Sequence, residues 1–228
     1  MKEVFLCHHL GLGDHIITNG LVRELLNRYD IINYPVKIHN VSNVSRMFGD
    51  VEQRVKILPV SGDVDMINAS RHHKNVMKFG IFSDSGAPQE GEYFCQWFYR
   101  SAAVDYKKRW SSFYIPDRPA ASPSFKGTQA FSFVHDDVSR DLEIRQSLIG
   151  SYDIFRPDHH LGKSANYTIF DYKPVILAST EIHCMDSSFS CYIDHISEVR
   201  HKKKFIHRYI REENMNPLYK NNWKVIYE

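Results

Sequence analysis

Cysteine is scarce in this chain, and long apolar runs are absent from its sequence. The 228 residues include 4 cysteines, and no two of them have the CxxC spacing of a metal or redox site. This excludes a disulfide scaffold, and we expect four free, partly buried thiols, at Cys7, Cys95, Cys184 and Cys191. No segment approaches the roughly 18 apolar residues of a membrane span. The first residues lack a signal-peptide pattern, so we expect a cytoplasmic protein with no transmembrane segment.

An excess of charge of one sign is also missing. The chain has 29 Lys and Arg against 27 Asp and Glu, a formal net charge of +2, and neither half is strongly basic. Because nucleic-acid-binding proteins concentrate positive charge on one surface, we expect no nucleic-acid partner. What the chain does have is 43% hydrophobic and 13% aromatic residues, the composition of a globular protein with a sizeable core.

Short apolar runs alternate with helical patterns along most of the chain. Strands are predicted at residues 3–8, 36–40, 55–59, 76–79, 130–135, 153–155, 181–185, 205–210 and 223–227. Helical patterns lie between them, and repeated βα units predict parallel sheets. Residues 116–129 contain three prolines and no periodicity, which is typical of a linker. We therefore predict an α/β protein with two Rossmann-like domains, at 1–115 and 130–228.

The first candidate site follows the first predicted strand. The segment from His8 to His15 reads HHLGLGDH, and its glycines permit a tight turn before a helix with an apolar face. Anions collect where strand ends meet helix N-termini, because free backbone N–H groups point there. Asp14 or His15 could accept a proton in this place, and Gly13 would let a ligand approach the backbone. An aspartate here also suits simple helix capping, and His8 and His9 suit hydrogen-bonded structural roles.

The segment GLGDHIITNGLVREL resembles the opening of glycosyltransferases of the ADP-heptose:lipopolysaccharide heptosyltransferase group, which carry an LGD motif in their first βα loop. The resemblance implies a compact GT-B architecture, in which two Rossmann-like domains face each other across a cleft. It assigns Asp14 as the general base and implies transfer of a sugar from a nucleoside-diphosphate sugar to a glycan acceptor. The reaction would be metal-independent, inverting and without a cofactor, with the acceptor on the N-terminal domain and the donor on the C-terminal one.

A second polar loop follows the strand at residues 130–135. An arginine at Arg140 could clamp a diphosphate, and His135 would line the same loop. The placement is similar to the HxRRxD loop of GT-B fucosyltransferases, but Asp136 and Asp137 stand where that loop has arginines, which argues against a fucosyl donor. A simple Asp- and Ser-rich turn with an exposed arginine is the structural alternative.

A third loop follows the strand at residues 181–185. Serine hydroxyls and free N–H groups at a helix start suit a phosphate, so Ser187 and Ser188 are candidate donor ligands. Carboxylates nearby could bind sugar or ribose hydroxyls, which makes Glu181 and Asp186 candidates as well. Helix capping alone would also explain Asp186 or Ser187.

Other functions remain open from the sequence. Asp63 and Asp65 form a DxD pattern, by which GT-A glycosyltransferases hold a divalent metal, although an acidic first helical turn explains them too. The pairs His72–His73 and His159–His160 lack zinc-site spacing and are assigned to loops. A non-catalytic module that binds nucleotide or glycan would share the fold. A nicotinamide-dependent oxidoreductase is less favoured, because the first loop lacks the full GxGxxG spacing.

Overall fold

The computed structural model describes residues 1–81, 88–117, 123, 130–137, 140–157, 167–208 and 216–227. The chain forms two compact units, Met1–Arg118 and Pro119–Glu228. Most of the predicted linker, residues 116–129, and the pair His159–His160 lie outside the described residues, so both interpretations stay predictions.

Unit 1 is a parallel four-stranded sheet with helices between its strands. The strands are β1 (Glu3–Cys7), β2 (Ile31–Lys37), β3 (Val55–Val60) and β4 (Val76–Lys78), in the order β3-β2-β1-β4. The helices are α1 (Leu12–Ile17), α2 (Asn19–Leu25), α3 (Val41–Met47), α4 (Asp63–Ser70), α5 (Phe94–Ser101) and α6 (Lys108–Ser111). Four of the five β1 residues are fully buried, as a parallel strand covered on both faces requires.

The first predicted helix is two helices. Of its predicted apolar positions, Ile17, Leu21 and Leu25 are buried, whereas Tyr29 is half-buried and lies beyond the end of α2. The helix is interrupted at Thr18. The Thr18 hydroxyl donates a hydrogen bond to the backbone oxygen of Asp14 at 2.8 Å, a local bond that competes with regular helix geometry. Asp14 therefore lies on a short first helix, α1, which ends just before Thr18.

Strand β2 begins and ends earlier in the chain than the sequence predicts. The prediction at residues 36–40 is wrong for 38–40, which form a short 3₁₀ helix, and it missed residues 31–35. Pro35 lies within this strand although proline has no N–H to donate to a sheet. It is tolerated because the pairing of β2 with β1 ends at Asn33, two residues earlier.

Unit 2 is a parallel five-stranded sheet. The strands are β5 (Phe131–His135), β6 (Asp153–Phe155), β7 (Glu181–Met185), β8 (Lys203–Arg208) and β9 (Lys224–Tyr227), in the order β6-β5-β7-β8-β9. Two helices are described, α7 (Lys173–Ala178) and α8 (Ser188–Ile193). The predicted helix at 167–179 begins as a 3₁₀ turn at Ile169–Tyr172, with Pro174 in the first turn of α7.

Each sheet has one place where the strand order reverses. In unit 1 the chain runs outward from β1 to β3 and returns with β4 on the other side of β1. In unit 2 it runs from β5 to β6 and returns with β7 on the other side of β5. Ligands of open α/β sheets bind at the carboxyl ends of the strands beside such a reversal. The fold therefore directs attention to the loops after β1, β5 and β7.

Two further predictions concern the thiols and the membrane. All four cysteines are free and buried, as expected. Within the described ranges, no helix has the length and apolar character needed to cross a membrane.

Candidate functional site

The loop after β1 places Asp14 at the start of α1. Gly11 is the residue before the helix, Gly13 lies in its first turn, and Asp14 is half-buried. A Cβ added to Gly11 would lie 2.7 Å from Oδ2 of Asp14, so the carboxylate folds back over this glycine. Negative charge is stabilised at this end of a helix. The glycine thus makes room for the carboxylate.

Tyr34 and Thr18 form hydrogen bonds with the His15 ring and with the backbone of Asp14. The Tyr34 hydroxyl lies 2.9 Å from Nδ1 of His15 and 3.1 Å from the Thr18 hydroxyl, which itself binds the backbone of Asp14. Burial, with a smaller contribution from the Asp14 carboxylate, raises the pKa of Tyr34 well above its ordinary value. The phenol is therefore protonated at neutral pH and can donate a hydrogen bond.

His15 and His8 are both buried behind this loop. Burial lowers the pKa of His15 well below its ordinary value and that of His8 to about 4, so both rings are neutral near pH 7. The His8 ring stacks on Tyr34, with the ring centroids 4.5 Å apart. Since His15 has no exposed surface, its burial favours a role in positioning the α1 loop over direct contact with a ligand.

In unit 2, the loops after β5 and β7 meet. The Ser187 hydroxyl lies 2.9 Å from Nδ1 of His135, and both residues stand at the reversal of the strand order. Ser187 and Ser188 are half-buried at the start of α8. The backbone N–H of Ser187 donates to the hydroxyl of Ser190 at 2.9 Å. The structure therefore brings together His135, Ser187 and Ser188, three of the predicted donor ligands.

The two aspartates after His135 have different partners. Asp136 is buried and accepts hydrogen bonds from the Ile144 N–H and from Nε of Arg156, both at 2.8 Å, so it fixes the loop that follows β5. Asp137 forms an ion pair with Arg140, whose side chain is 46% exposed. Arg140 thus lies at the surface of the predicted loop with part of its guanidinium open to solvent.

The carboxylate of Asp186 is held by two residues that the sequence analysis missed. The Tyr219 hydroxyl donates to Oδ1 at 2.7 Å, and Nε of Arg208 donates to Oδ2 at 3.2 Å. Arg208 is the last residue of β8, and Arg156 directly follows β6. The position of these two arginines at strand ends was the signal that could have revealed them, because the carboxyl ends of parallel strands meet at one edge of a sheet.

Glu181 does not join this group. It is the first residue of β7, at the amino end of the strand, about 13 Å of strand away from Met185. Its Oε1 accepts from the Ser132 hydroxyl at 3.0 Å, from Nε2 of His183 at 3.3 Å and from the Gly150 N–H at 3.3 Å. These contacts place Glu181 in a buried structural network at the opposite edge of the sheet.

The alternative metal site has a structural explanation. Asp63 and Asp65 lie in the first turn of α4, and the Asp65 carboxylate accepts hydrogen bonds from the N–H and the hydroxyl of Ser61. Among the residues that the structure describes, no group of three or more His, Cys, Asp and Glu side chains is arranged to hold a metal ion. In the predicted loop pair His72–His73, Nδ1 of His73 lies 3.6 Å from the Glu3 carboxylate at the surface.

The whole chain resembles solved glycosyltransferase structures. E. coli ADP-heptose lps heptosyltransferase II is 11% identical, with a TM-score of 0.58, over 99% of this chain and 90% of that one. E. coli heptosyltransferase WaaC with ADP is 9% identical, with a TM-score of 0.52, over 100% of this chain and 93% of that one. WaaC with ADP-2-deoxy-2-fluoro heptose is 10% identical, with a TM-score of 0.50, over 99% and 93%. The chain shares the fold of these solved structures.

This likeness agrees with the α/β fold class predicted from the sequence. The identities of 9–11% establish a shared fold, and the predicted α/β class with two parallel sheets is confirmed. No family model matches this sequence. No curated protein matches it either.

Proposed function

We propose that this chain is a GT-B glycosyltransferase that moves a sugar from a nucleoside-diphosphate sugar to a glycan hydroxyl. One observation carries the proposal: the fold matches a heptosyltransferase over 99% of the chain. The polar loops agree with it, because in each sheet they follow the strands at the reversal of the strand order. Two of the similar structures are WaaC with ADP and WaaC with ADP-2-deoxy-2-fluoro heptose, which supports a nucleotide-sugar donor here.

Asp14 is the proposed general base. Its carboxylate takes the proton of the acceptor hydroxyl while that oxygen forms a bond to the anomeric carbon of the sugar. The bond from that carbon to the diphosphate breaks, and the nucleoside diphosphate leaves with the electron pair. Attack on the face opposite the leaving group inverts the anomeric centre. His15, Tyr34 and Thr18 hold the helix turn from which the carboxylate projects.

The donor's phosphates are proposed to bind unit 2. Ser187 offers its hydroxyl, Ser188 offers its hydroxyl and backbone N–H, His135 orients the Ser187 hydroxyl, and Arg140 supplies positive charge. Arginine and N–H donors offset the charge that develops on the leaving diphosphate, so the proposed reaction is metal-independent. Glu181 is left out of this set because it lies at the opposite edge of the sheet.

A transfer assay tests this function. The purified chain is incubated with ADP-, GDP- and UDP-sugars and a broad panel of glycan acceptors, with and without a chelator. We expect one donor to give a glycosylated product at the same rate with chelator present, with NMR showing an inverted anomeric configuration. Activity that a chelator abolishes and Mn²⁺ restores would instead favour the metal-dependent mechanism through Asp63 and Asp65. Nucleotide binding with no transfer to any acceptor would favour a binding module.

A further inference from the structure

The carboxylate of Asp186 is already occupied by side chains of its own unit. One oxygen accepts from the Tyr219 hydroxyl at 2.7 Å, and the other accepts from Nε of Arg208 at 3.2 Å. The Asp186 and Arg208 side chains are only 8% and 11% exposed. Burial, with a further contribution from Asp186, raises the pKa of Tyr219 well above its ordinary value, so the phenol remains a donor. Asp186 therefore serves these two side chains rather than the hydroxyls of a ligand.

The segment near the end of the chain holds Tyr219 in place. Asp194, just after α8, accepts hydrogen bonds from the N–H groups of Lys220 and Asn221 at 2.9 and 3.0 Å and from Nε1 of Trp223 at 3.1 Å. The Tyr219 hydroxyl lies 2.9 Å from that of Ser190, inside α8. The segment is thus fixed to Ser190 in the first turn of α8 and to Asp194 at its carboxyl end, so Tyr219 has a defined position beside Asp186.

This arrangement holds the guanidinium of Arg208 at the edge of the sheet where Ser187 lies. Strand β8 pairs in parallel with β7, with Met185 opposite His207, so Arg208 lies level with the loop that contains Asp186 and Ser187. Nε is used by Asp186, and Arg208 also hydrogen-bonds the Tyr227 side chain. A guanidinium has five N–H donors, so the group retains further capacity to bind an anion, and its fork matches the geometry of a phosphate.

We propose that Arg208 binds the diphosphate of the donor and that Asp186 and Tyr219 are positioning residues that aim its guanidinium. The inference rests on the proposed function, and it reassigns Asp186 from a sugar ligand to a support for an arginine. The ion pair between Arg208 and Asp186 also changes the charge near the proposed phosphate site. Because Arg208 neutralises that carboxylate, the loop before Ser187 presents no uncompensated negative charge to a phosphate.

Calorimetry on the full chain tests the role of Arg208. ADP, GDP and UDP are titrated to find the diphosphate that binds, and the matching nucleoside, which has no phosphate, is titrated as the control ligand. In Arg208→Gln we expect the Kd of the diphosphate to rise about tenfold or more, with the Kd of the nucleoside unchanged. Arg208→Lys should recover part of the loss, because a lysine keeps the charge but not the fork. Unchanged diphosphate affinity in Arg208→Gln would overturn the proposal.

A double-mutant cycle tests the positioning role of Tyr219. Tyr219→Phe should weaken diphosphate binding about three- to tenfold in the wild-type background and have no further effect in Arg208→Gln, because the two side chains act on one contact. The exposed Tyr152 provides the control, and Tyr152→Phe should bind as the wild type does. Additive losses in the double variant would show that Tyr219 acts on the fold and not through Arg208.

The failure of this inference can be told from the failure of the proposed function. If the wild-type chain binds none of the diphosphates, both fall together. If it binds one of them and Arg208→Gln binds it equally well, the donor site stands and Arg208 is not part of it.

Discussion

The Ser187 hydroxyl lies 2.9 Å from Nδ1 of His135, and this contact joins the ends of two neighbouring strands of the second sheet, β5 and β7. His135 ends β5 and Ser187 follows β7, so residues 52 positions apart in sequence form one polar surface. If His135 donates to the serine oxygen, the serine proton is free to bond a phosphate oxygen. The geometry therefore gives His135 a defined use, which is to orient the hydroxyl of Ser187.

Replacing the proposed base is the first test. Asp14→Asn removes the carboxylate but keeps its size, and we expect the rate of sugar transfer to fall by about 10²–10⁴-fold while the donor Kd stays within about twofold. Initial rates and calorimetry measure the two quantities. Asp63→Asn, in the exposed first turn of α4, is the matched control and should keep full activity. Equal turnover in Asp14→Asn would remove Asp14 from the mechanism.

A second prediction concerns the space beside that carboxylate. Gly11→Ala puts a methyl group 2.7 Å from the present position of Oδ2 of Asp14, so the carboxylate must move. The backbone at Gly11 has φ −71°, which alanine adopts without strain, so the fold should be kept. We expect kcat to fall about tenfold or more with an unchanged thermal unfolding midpoint. An unaltered kcat would mean that the position of the carboxylate is not critical.

Because Glu181 lies away from the proposed donor site, replacing it should lower the stability of the fold without weakening nucleoside-diphosphate binding. Glu181→Ala leaves the N–H and O–H donors of Ser132, Gly150 and His183 without their acceptor, and we expect a loss of about 2–3 kcal/mol in the free energy of unfolding. Urea denaturation measures this loss. Nucleoside-diphosphate affinity should stay within about twofold, because the residue lies at the other edge of the sheet. A large selective loss of affinity would return Glu181 to the donor site.

Buried histidines predict how stability depends on pH. Burial lowers the pKa of His8 and of His207 to about 4, below the ordinary value of 6.5. The unfolded chain therefore binds more protons between pH 6.5 and 4, and folding loses stability as the pH falls through that window. We expect a contribution of up to about 3 kcal/mol from His8, fully present above pH 6.5.

Thermal unfolding of the wild type and of His8→Gln across pH 4–8 measures this effect. The variant should be less stable at pH 8 and should lose less stability on acidification than the wild type does. His72→Gln, at an exposed position, is the control and should follow the wild-type curve. Parallel curves for the wild type and His8→Gln would contradict the assignment.

The parts of this structure that the sequence predicts are those set by local pattern. The apolar run before the GLGD segment forms β1, and that loop places Asp14 in the first turn of α1. The start of β2 was missed, and Pro35 lies inside this strand, because only the pairing with β1 ends before it while the pairing with β3 continues to Lys37. Glu181 was grouped with Ser187 by nearness in sequence, although a strand between them separates the two in space.

The partners of Asp186 depend on contacts that no local pattern contains. Arg208 and Tyr219 are 22 and 33 positions away from it in sequence. Arg208 reaches Asp186 through the register of β7 and β8, and Tyr219 reaches it from residues 216–223, which form neither a helix nor a strand. Only the pairing of strands and the docking of that segment bring these side chains together.

The most direct test of the nucleoside-diphosphate site is a thermal unfolding series with ADP, GDP and UDP, in the wild type and in Ser187→Ala. A ligand that binds only the folded state raises the unfolding midpoint, and the midpoint keeps rising with ligand concentration above the Kd. We predict that at least one diphosphate raises the wild-type midpoint in a concentration-dependent way and that Ser187→Ala loses most of this shift. No shift with any of the three, or an equal shift in both proteins, would contradict a donor site at the loops after β5 and β7.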